Sequence, residues 1–103
     1  MFDENWASLA GAKAAYYAYL HLMSRNDITE MRLPEMEYTP QQMFWIALAN
    51  NHCKTNKQYD FIDSHSPHEL EIRGIVSNMK EFARDFNCKI GSAMNPENKC
   101  HVF

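Results

Sequence analysis

The apolar positions in the first half of the chain predict two helices that are apolar on nearly every side. Residues 5–24 are rich in alanine, a strong helix former, and only Ser8, Lys13 and His21 are markedly polar. Residues 40–53 include an unbroken apolar run from Met43 to Ala49. Because a helix that is apolar all round is normally buried all round, we expect other elements to cover both helices.

The second helix carries a clear start signal. Thr39 suits the N-cap, Pro40 suits the first helical position, and Gln42 completes a capping box. The preceding residues 25–38 are polar and irregular, which predicts a connecting loop.

The second half of the chain predicts an extended segment followed by a short helix. Apolar and charged residues alternate from Leu70 to Val76, which is the period of a short strand, and this period places Glu71 and Arg73 on one face. Asn78 then suits the N-cap of a helix that carries Phe82, Ala83 and Phe86 on its apolar face, with Glu81 at the capping-box position.

The predicted fold is mainly α, with about three helices plus a short extended segment. The 103 residues suffice for one modest core, and no repeat or domain boundary is visible. One further short helix cannot cover two helices that are apolar on every side. We therefore expect residues 1–103 to be an incomplete domain that packs against another part of a larger protein.

Composition narrows the possible partners. A net charge of −3 and a pI of about 5.9 give no basic footprint, so we expect no nucleic-acid partner. No apolar run approaches the roughly 18 residues that span a bilayer, and no signal peptide is visible.

The chain has 3 cysteines, so at least one lacks a partner within the chain in an oxidising environment. The alternative to an oxidising environment is a cytosolic protein in which all three cysteines are buried or idle thiols.

Two groups of residues have metal-ligand chemistry but poor spacing. His65-x-x-His68 contains Pro67, which prevents the helix that would align both imidazoles, so two loop histidines are the simpler interpretation. The three cysteines with His101 match no standard zinc motif, because structural sites usually pair ligands two to four residues apart.

Five segments, taken in order, resemble the neprilysin and endothelin-converting-enzyme family of zinc metallopeptidases. The segments are Glu4-Asn5-x-Ala7 with Gly11-x-Lys13-Ala14-Ala15-Tyr16; Leu33-Pro34 with Tyr38-Thr39-x-x-Gln42-x-Phe44; His65-Ser66-Pro67 with Gly74 to Asn78; Glu81-Phe82 to Cys88; and Met94-Asn95-Pro96-Glu97 to Cys100. The likeness spans the whole chain.

The resemblance implies the C-terminal segment of an extracellular, usually membrane-anchored peptidase domain. Family members bind zinc through a helical H-E-x-x-H motif, which this chain lacks, plus a downstream glutamate. Glu4 falls at that glutamate, and His65 falls at the histidine that stabilises the oxyanion. The resemblance also implies disulfides from Cys53, Cys88 and Cys100 to cysteines upstream of this chain. We therefore expect zinc only in a full-length relative and none in the isolated chain.

Two positions depart from the family pattern. Ser8 replaces an aspartate that hydrogen-bonds a zinc-bound histidine, and Glu71 replaces a substrate-binding arginine in the gap-free alignment. A two-residue slip would instead place Arg73 at the arginine position.

Three hypotheses follow. The first is the C-terminal segment of a zinc metalloendopeptidase, inactive alone, whose partners are the upstream part of the domain and a peptide substrate. The second is a degenerate family member that acts as a non-catalytic binding protein, which Ser8 and Glu71 favour. The third is a small helical interaction module with free thiols, which the whole-chain resemblance disfavours.

Overall fold

Four α-helices make up the regular structure. The computed structural model describes residues 2–25, 32–53 and 68–102. Within these ranges the helices are α1 (Phe2–Arg25), α2 (Pro40–Asn50), α3 (His68–Ser77) and α4 (Lys80–Asp85). α1 packs on α3, α3 on α4, and α2 on α4. The prediction of a mainly α-helical chain is confirmed.

The predicted start of α2 is also confirmed. The Gln42 backbone N–H donates to Thr39 Oγ1 at 3.1 Å, and the Thr39 N–H donates to Gln42 Oε1 at 2.9 Å. The other end of the Gln42 side chain donates from Nε2 to the backbone oxygen of Asp85 at 3.0 Å. The Gln42 side chain therefore caps the start of α2 and also donates to a carbonyl at the end of α4. Carbonyls in the last turn of a helix have no intrahelical hydrogen-bond partner.

The extended segment predicted between Leu70 and Val76 is wrong, because these residues belong to α3. Leu70 is 57% exposed, whereas Glu71 is only 8% exposed, so the alternating pattern does not follow burial. Burial instead follows helical spacing, with Ile75 one turn after Glu71. The alternation of apolar and charged residues predicted a strand because it treats Glu71 as exposed, whereas this carboxylate occupies a buried position of the helix.

The predicted N-cap of the last helix is wrong as well. Met79 is the N-cap of α4, and it makes no side-chain capping hydrogen bond. The Asn78 side chain instead donates to the Gly74 oxygen at 2.7 Å and accepts from the Cys100 N–H at 2.8 Å. Asn78 therefore joins the end of α3 to the C-terminal segment.

The core is aromatic at its centre and aliphatic toward α3. Tyr16 is fully buried and stacks on Trp45 with ring centroids 4.7 Å apart, and Trp45 meets Phe82 edge-to-face at 5.6 Å. The buried apolar residues are Leu9, Ala12, Tyr16, Trp45, Ile75, Val76, Met79 and Ala83. Each helix contributes to this core or to its border, so the packing of all four depends on these rings.

A largely buried carboxylate lies beside the stacked rings. The Asp85 side chain is 8% exposed; its Oδ2 accepts from Trp45 Nε1 at 2.9 Å and from the Tyr16 hydroxyl. Arg84 NH2 donates to the Tyr16 oxygen at 3.1 Å, and Arg84 Nε lies 3.5 Å from Asp85 Oδ1. These bonds fix the orientation of both rings, because hydrogen bonds are directional and apolar contacts are not.

This environment changes the acidity of Tyr16. Burial, and then the hydrogen bond to Asp85, raise the pKa of the Tyr16 hydroxyl far above its usual value. In turn, the hydrogen bond to Tyr16 raises the pKa of Arg84. The Tyr16 phenol in the folded chain is therefore harder to ionise than a free tyrosine.

α1 buries one face only. Leu9, Ala12 and Tyr16 lie in the core, whereas Trp6 is 44% and Leu22 47% exposed. Within the described residues, α1 is therefore covered on one face, and whether another part of a larger protein covers the rest stays a prediction. No helix in those ranges is both long and apolar enough to cross a membrane.

Replacing the buried carboxylate should destabilise the fold strongly. Asp85→Ala leaves the Trp45 and Tyr16 donors without their acceptor, and we expect a loss of about 3 kcal/mol in the free energy of unfolding. Urea denaturation followed by tryptophan fluorescence measures this loss. The matched control is Glu37→Ala at an exposed carboxylate, which should stay within about 0.5 kcal/mol of the parent chain. Equal effects of the two substitutions would contradict the role of Asp85.

The raised pKa of Tyr16 predicts a loss of stability at alkaline pH. The unfolded chain ionises tyrosine near pH 10, below the folded value, so the contribution of Tyr16 is complete below about pH 10 and declines above it. Absorbance at 295 nm should show a tyrosine component that titrates only on unfolding, in addition to the upward-shifted titration of the exposed Tyr17. This late component should disappear in Tyr16→Phe and persist in Tyr38→Phe. A late component that survives Tyr16→Phe would refute the assignment.

Candidate functional site

The first turns of α1 carry the residue that the resemblance assigns to zinc. Glu4 lies in the first turn and is half-buried, and Ser8 follows it by one helical turn on the same face. An acidic residue in the first turn also interacts favourably with the helix dipole. The position of Glu4 therefore has a structural explanation beside the proposed ligand role.

Ser8 and Glu71, the two positions that depart from the family pattern, contact each other. Ser8 Oγ donates to Glu71 Oε1 at 2.6 Å. The other carboxylate oxygen of Glu71 lies 3.4 Å from Nδ1 of His52, just after the end of α2. The Glu71 side chain is 7% exposed, so these groups replace most of its hydration. The three residues are called the Glu71 cluster below.

The predicted extended segment would place Arg73 and Glu71 on the same face. In the structure they do not lie on the same face. The Arg73 side chain is 59% exposed and its NH2 group lies 3.3 Å from Glu69 Oε1, one turn earlier on α3. Two residues apart on a helix, Glu71 and Arg73 point about 200° apart around the axis. The shared strand face that would let Arg73 substitute for the family arginine is therefore absent, and the role of Arg73 stays a prediction.

The three cysteines lie at the end of α2 and in the C-terminal segment. Cys53 and Cys100 are exposed, Cys88 is half-buried, and no two of the three are bonded to each other. The Cys88 carbonyl accepts from Asn95 Nδ2 at 2.9 Å, while Lys99 Nζ donates to Asn95 Oδ1 at 2.6 Å. Asn95 therefore holds the loop between Cys88 and Cys100 in a defined shape.

The metal-ligating side chains in the described part of the chain do not form a complete metal site. Among the described residues, no group of three or more His, Cys, Asp or Glu side chains could hold a metal ion. His65 lies outside the described residues. Catalytic zinc commonly takes three protein ligands, so Glu4 fits zinc as one ligand of a site completed by other residues.

An open groove of about 430 Å³ lies between α1, the start of α4 and the C-terminal segment. Its charges are mixed, with Lys13, Lys80 and Lys99 beside two glutamates. One of these, Glu81, accepts a hydrogen bond from the Tyr17 hydroxyl, which raises the pKa of Tyr17. Of the site residues predicted from the sequence, none that the structure describes lines this groove.

The structure adds two residues to which the sequence patterns assign no role. His52 lies beside Glu71, and Asp85 lies in the aromatic core. For His52, the signal would have been its place at the C-terminal end of an apolar helix. For Asp85, it was a carboxylate between aromatic residues on a short amphipathic helix.

The exposed ion pair between Arg73 and Glu69 on α3 should contribute little to the free energy of unfolding. Arg73→Ala removes a solvent-exposed ion pair at i,i+4 spacing, and we expect a change below about 0.5 kcal/mol in the free energy of unfolding. Urea denaturation provides the measurement, with Arg84→Ala, which loses bonds to Tyr16 and Asp85, as the comparison. A loss above about 1.5 kcal/mol for Arg73→Ala would mean that Arg73 faces the core and that the helical assignment is wrong.

Known proteins resemble this chain along its whole length. Residues 1–102 match peptidase family M13. Neprilysin-2 of Drosophila melanogaster and Endothelin-converting enzyme-like 1 of Homo sapiens are each 40% identical to it over 97% of this chain and 13% of their own length. Endothelin-converting enzyme 1 of Bos taurus is 37% identical over 97% of this chain and 14% of its own length.

The chain thus spans only 13–14% of the length of these relatives. Its match to the family nevertheless extends from the first helix to the C-terminal segment. The chain therefore belongs to peptidase family M13, the metallopeptidase family of neprilysin and the endothelin-converting enzymes, as its sequence motifs predicted.

Proposed function

We propose that this chain is the C-terminal segment of a neprilysin-like zinc metalloendopeptidase domain, and that it completes the catalytic site when packed on the upstream part of that domain. The observation that carries the proposal is the match of residues 1–102 to family M13, which includes the Glu4-Asn5 segment. By the same resemblance, the domain acts on peptides outside the cell.

Apolar side chains of α1 that stay exposed support packing on the upstream part. Trp6 and Tyr17 are 44% and 42% exposed on one side of the buried face of α1, and Leu22 is 47% exposed on the other side. Full burial of a wholly exposed apolar side chain contributes roughly 1.5–3 kcal/mol, so these half-buried side chains would each gain part of that. A partner surface that covers either side would therefore stabilise the packed segment.

Two residues carry the proposed chemistry. Glu4 would hold zinc together with ligands from the upstream part. Zinc, when bound, supplies a water of lowered pKa and polarises the peptide carbonyl. His65 would donate to the oxygen on which negative charge develops as the peptide bond is attacked, a role that typically contributes a few kcal/mol to catalysis. Without the upstream ligands, the isolated chain should neither hold zinc tightly nor cleave peptides.

The Glu71 cluster favours a second candidate function, a non-catalytic family member that binds peptides or proteins. Ser8 is engaged by Glu71 at 2.6 Å and carries no charge, so it cannot replace an aspartate that raises the basicity of a zinc-bound histidine. Loss of such a carboxylate typically costs tenfold to a hundredfold in metal affinity or activity. The two candidates therefore differ in peptide cleavage and not in fold.

A hybrid protein tests both candidates. The upstream part of Neprilysin-2 of Drosophila melanogaster would be joined to this chain, and zinc content and peptide cleavage would be measured. We expect one zinc per molecule and measurable cleavage, slower than that of intact Neprilysin-2. Zinc binding with no cleavage would instead select the binding protein. A folded hybrid that holds no zinc would refute the proposed completion of the site.

Variants of the hybrid separate the two proposed roles. Glu4→Gln should lose zinc and cleavage together, whereas Asp3→Asn, its exposed neighbour, should retain both. His65→Ala should lower kcat by about a hundredfold with zinc retained, whereas His68→Ala should not. Unchanged zinc affinity in Glu4→Gln would exclude Glu4 as a ligand, and an unchanged kcat in His65→Ala would exclude the oxyanion role.

A further inference from the structure

Glu71 lies where three helices meet. It belongs to α3, one of its carboxylate oxygens accepts from Ser8 of α1, and the other faces His52 at the end of α2. Ion pairs and hydrogen bonds to a buried carboxylate are costly to break, because the charge is then left without compensation. Each of these two contacts therefore resists displacement of a neighbouring helix.

The contact with Ser8 fixes the start of α1. Glu4 is four residues before Ser8, which places it about 6 Å along the axis and on the same face of the helix. The contacts of Leu9, Ala12 and Tyr16 with the core are apolar and not directional, so they do not by themselves fix the position of α1 along α3. The directional bond between Ser8 and Glu71 opposes a shift of α1 along α3.

The contact with His52 fixes the end of α2. The His52 N–H donates to the Ala49 oxygen at 3.0 Å, and the Cys53 N–H donates to the Asn50 oxygen at 3.1 Å. These turns make the position of Cys53 follow that of His52. Holding the imidazole against Glu71 thereby sets where the exposed Cys53 thiol lies relative to α3.

We infer that Glu71 is a positioning residue that holds the turn carrying Glu4 and the turn carrying Cys53 in a fixed arrangement on α3. Its charge is used inside the molecule, in contacts with Ser8 and His52, and not for contact with a ligand. The importance of Glu4 and Cys53 rests on the proposed function, whereas the mechanical role of Glu71 does not.

Hydrogen exchange of the backbone amides in this chain tests the inference. Glu71→Leu removes both contacts and should speed exchange at least tenfold in residues 6–9 and 51–53. Ser8→Ala removes one contact and should speed exchange in residues 6–9 while leaving residues 51–53 within threefold. The control Glu69→Gln, an exposed carboxylate on the same helix, should change neither range.

The conservative variant sharpens the test. Glu71→Gln retains an acceptor for Ser8 and a polar group toward His52, so exchange should stay within about threefold of the parent chain. A residue that only stabilises the fold would instead speed exchange equally everywhere, including residues 80–85. Uniform acceleration in Glu71→Leu and Ser8→Ala, or no acceleration in either, would overturn the inference.

This outcome is distinguishable from that of the hybrid experiment, because exchange is measured on the chain itself without zinc or substrate. Selective exchange with an inactive hybrid would retain the role of Glu71 and remove the peptidase proposal. Uniform acceleration of exchange in the variants, together with an active hybrid, would remove the role of Glu71 and retain the peptidase proposal.

Discussion

The fold depends on a buried carboxylate that organises an aromatic core. Asp85 accepts hydrogen bonds from Trp45 and Tyr16, and its backbone oxygen accepts from Gln42, so three residues from two other helices meet at the end of α4. Apolar burial alone would hold the rings together without fixing their orientation. Because each donor would be left unsatisfied without Asp85, the α1, α2 and α4 arrangement is specified by polar bonds inside an apolar cluster.

A second carboxylate plays a corresponding part elsewhere in the packing. Glu71 joins the start of α1, which carries Glu4, and the end of α2 to α3. Ser8 and Glu71, the two positions at which the resemblance implies a departure from the family pattern, share one hydrogen bond. A substitution at either position therefore changes the surroundings of the other.

The sequence predicted the features that rest on local signals. Thr39, Pro40 and Gln42 located the start of α2, because a capping box involves only neighbouring residues. The alternation from Leu70 to Val76 failed because it treats a glutamate as exposed, and the burial of Glu71 depends on partners 63 and 19 residues away in the chain. Asn78 failed for a similar reason, since its bond to Cys100 spans 22 residues. A pattern of apolar and polar residues along the chain does not identify partners that are so far apart in sequence.

The proposed place of this chain in a larger extracellular peptidase is tested most directly by a disulfide map. The measurement is peptide mass spectrometry, without reduction, of the full-length protein secreted from cultured eukaryotic cells. The account predicts that Cys53, Cys88 and Cys100 are each bonded to a cysteine outside residues 1–103. A bond between any two of these three cysteines, or three reduced thiols in the secreted protein, would contradict it.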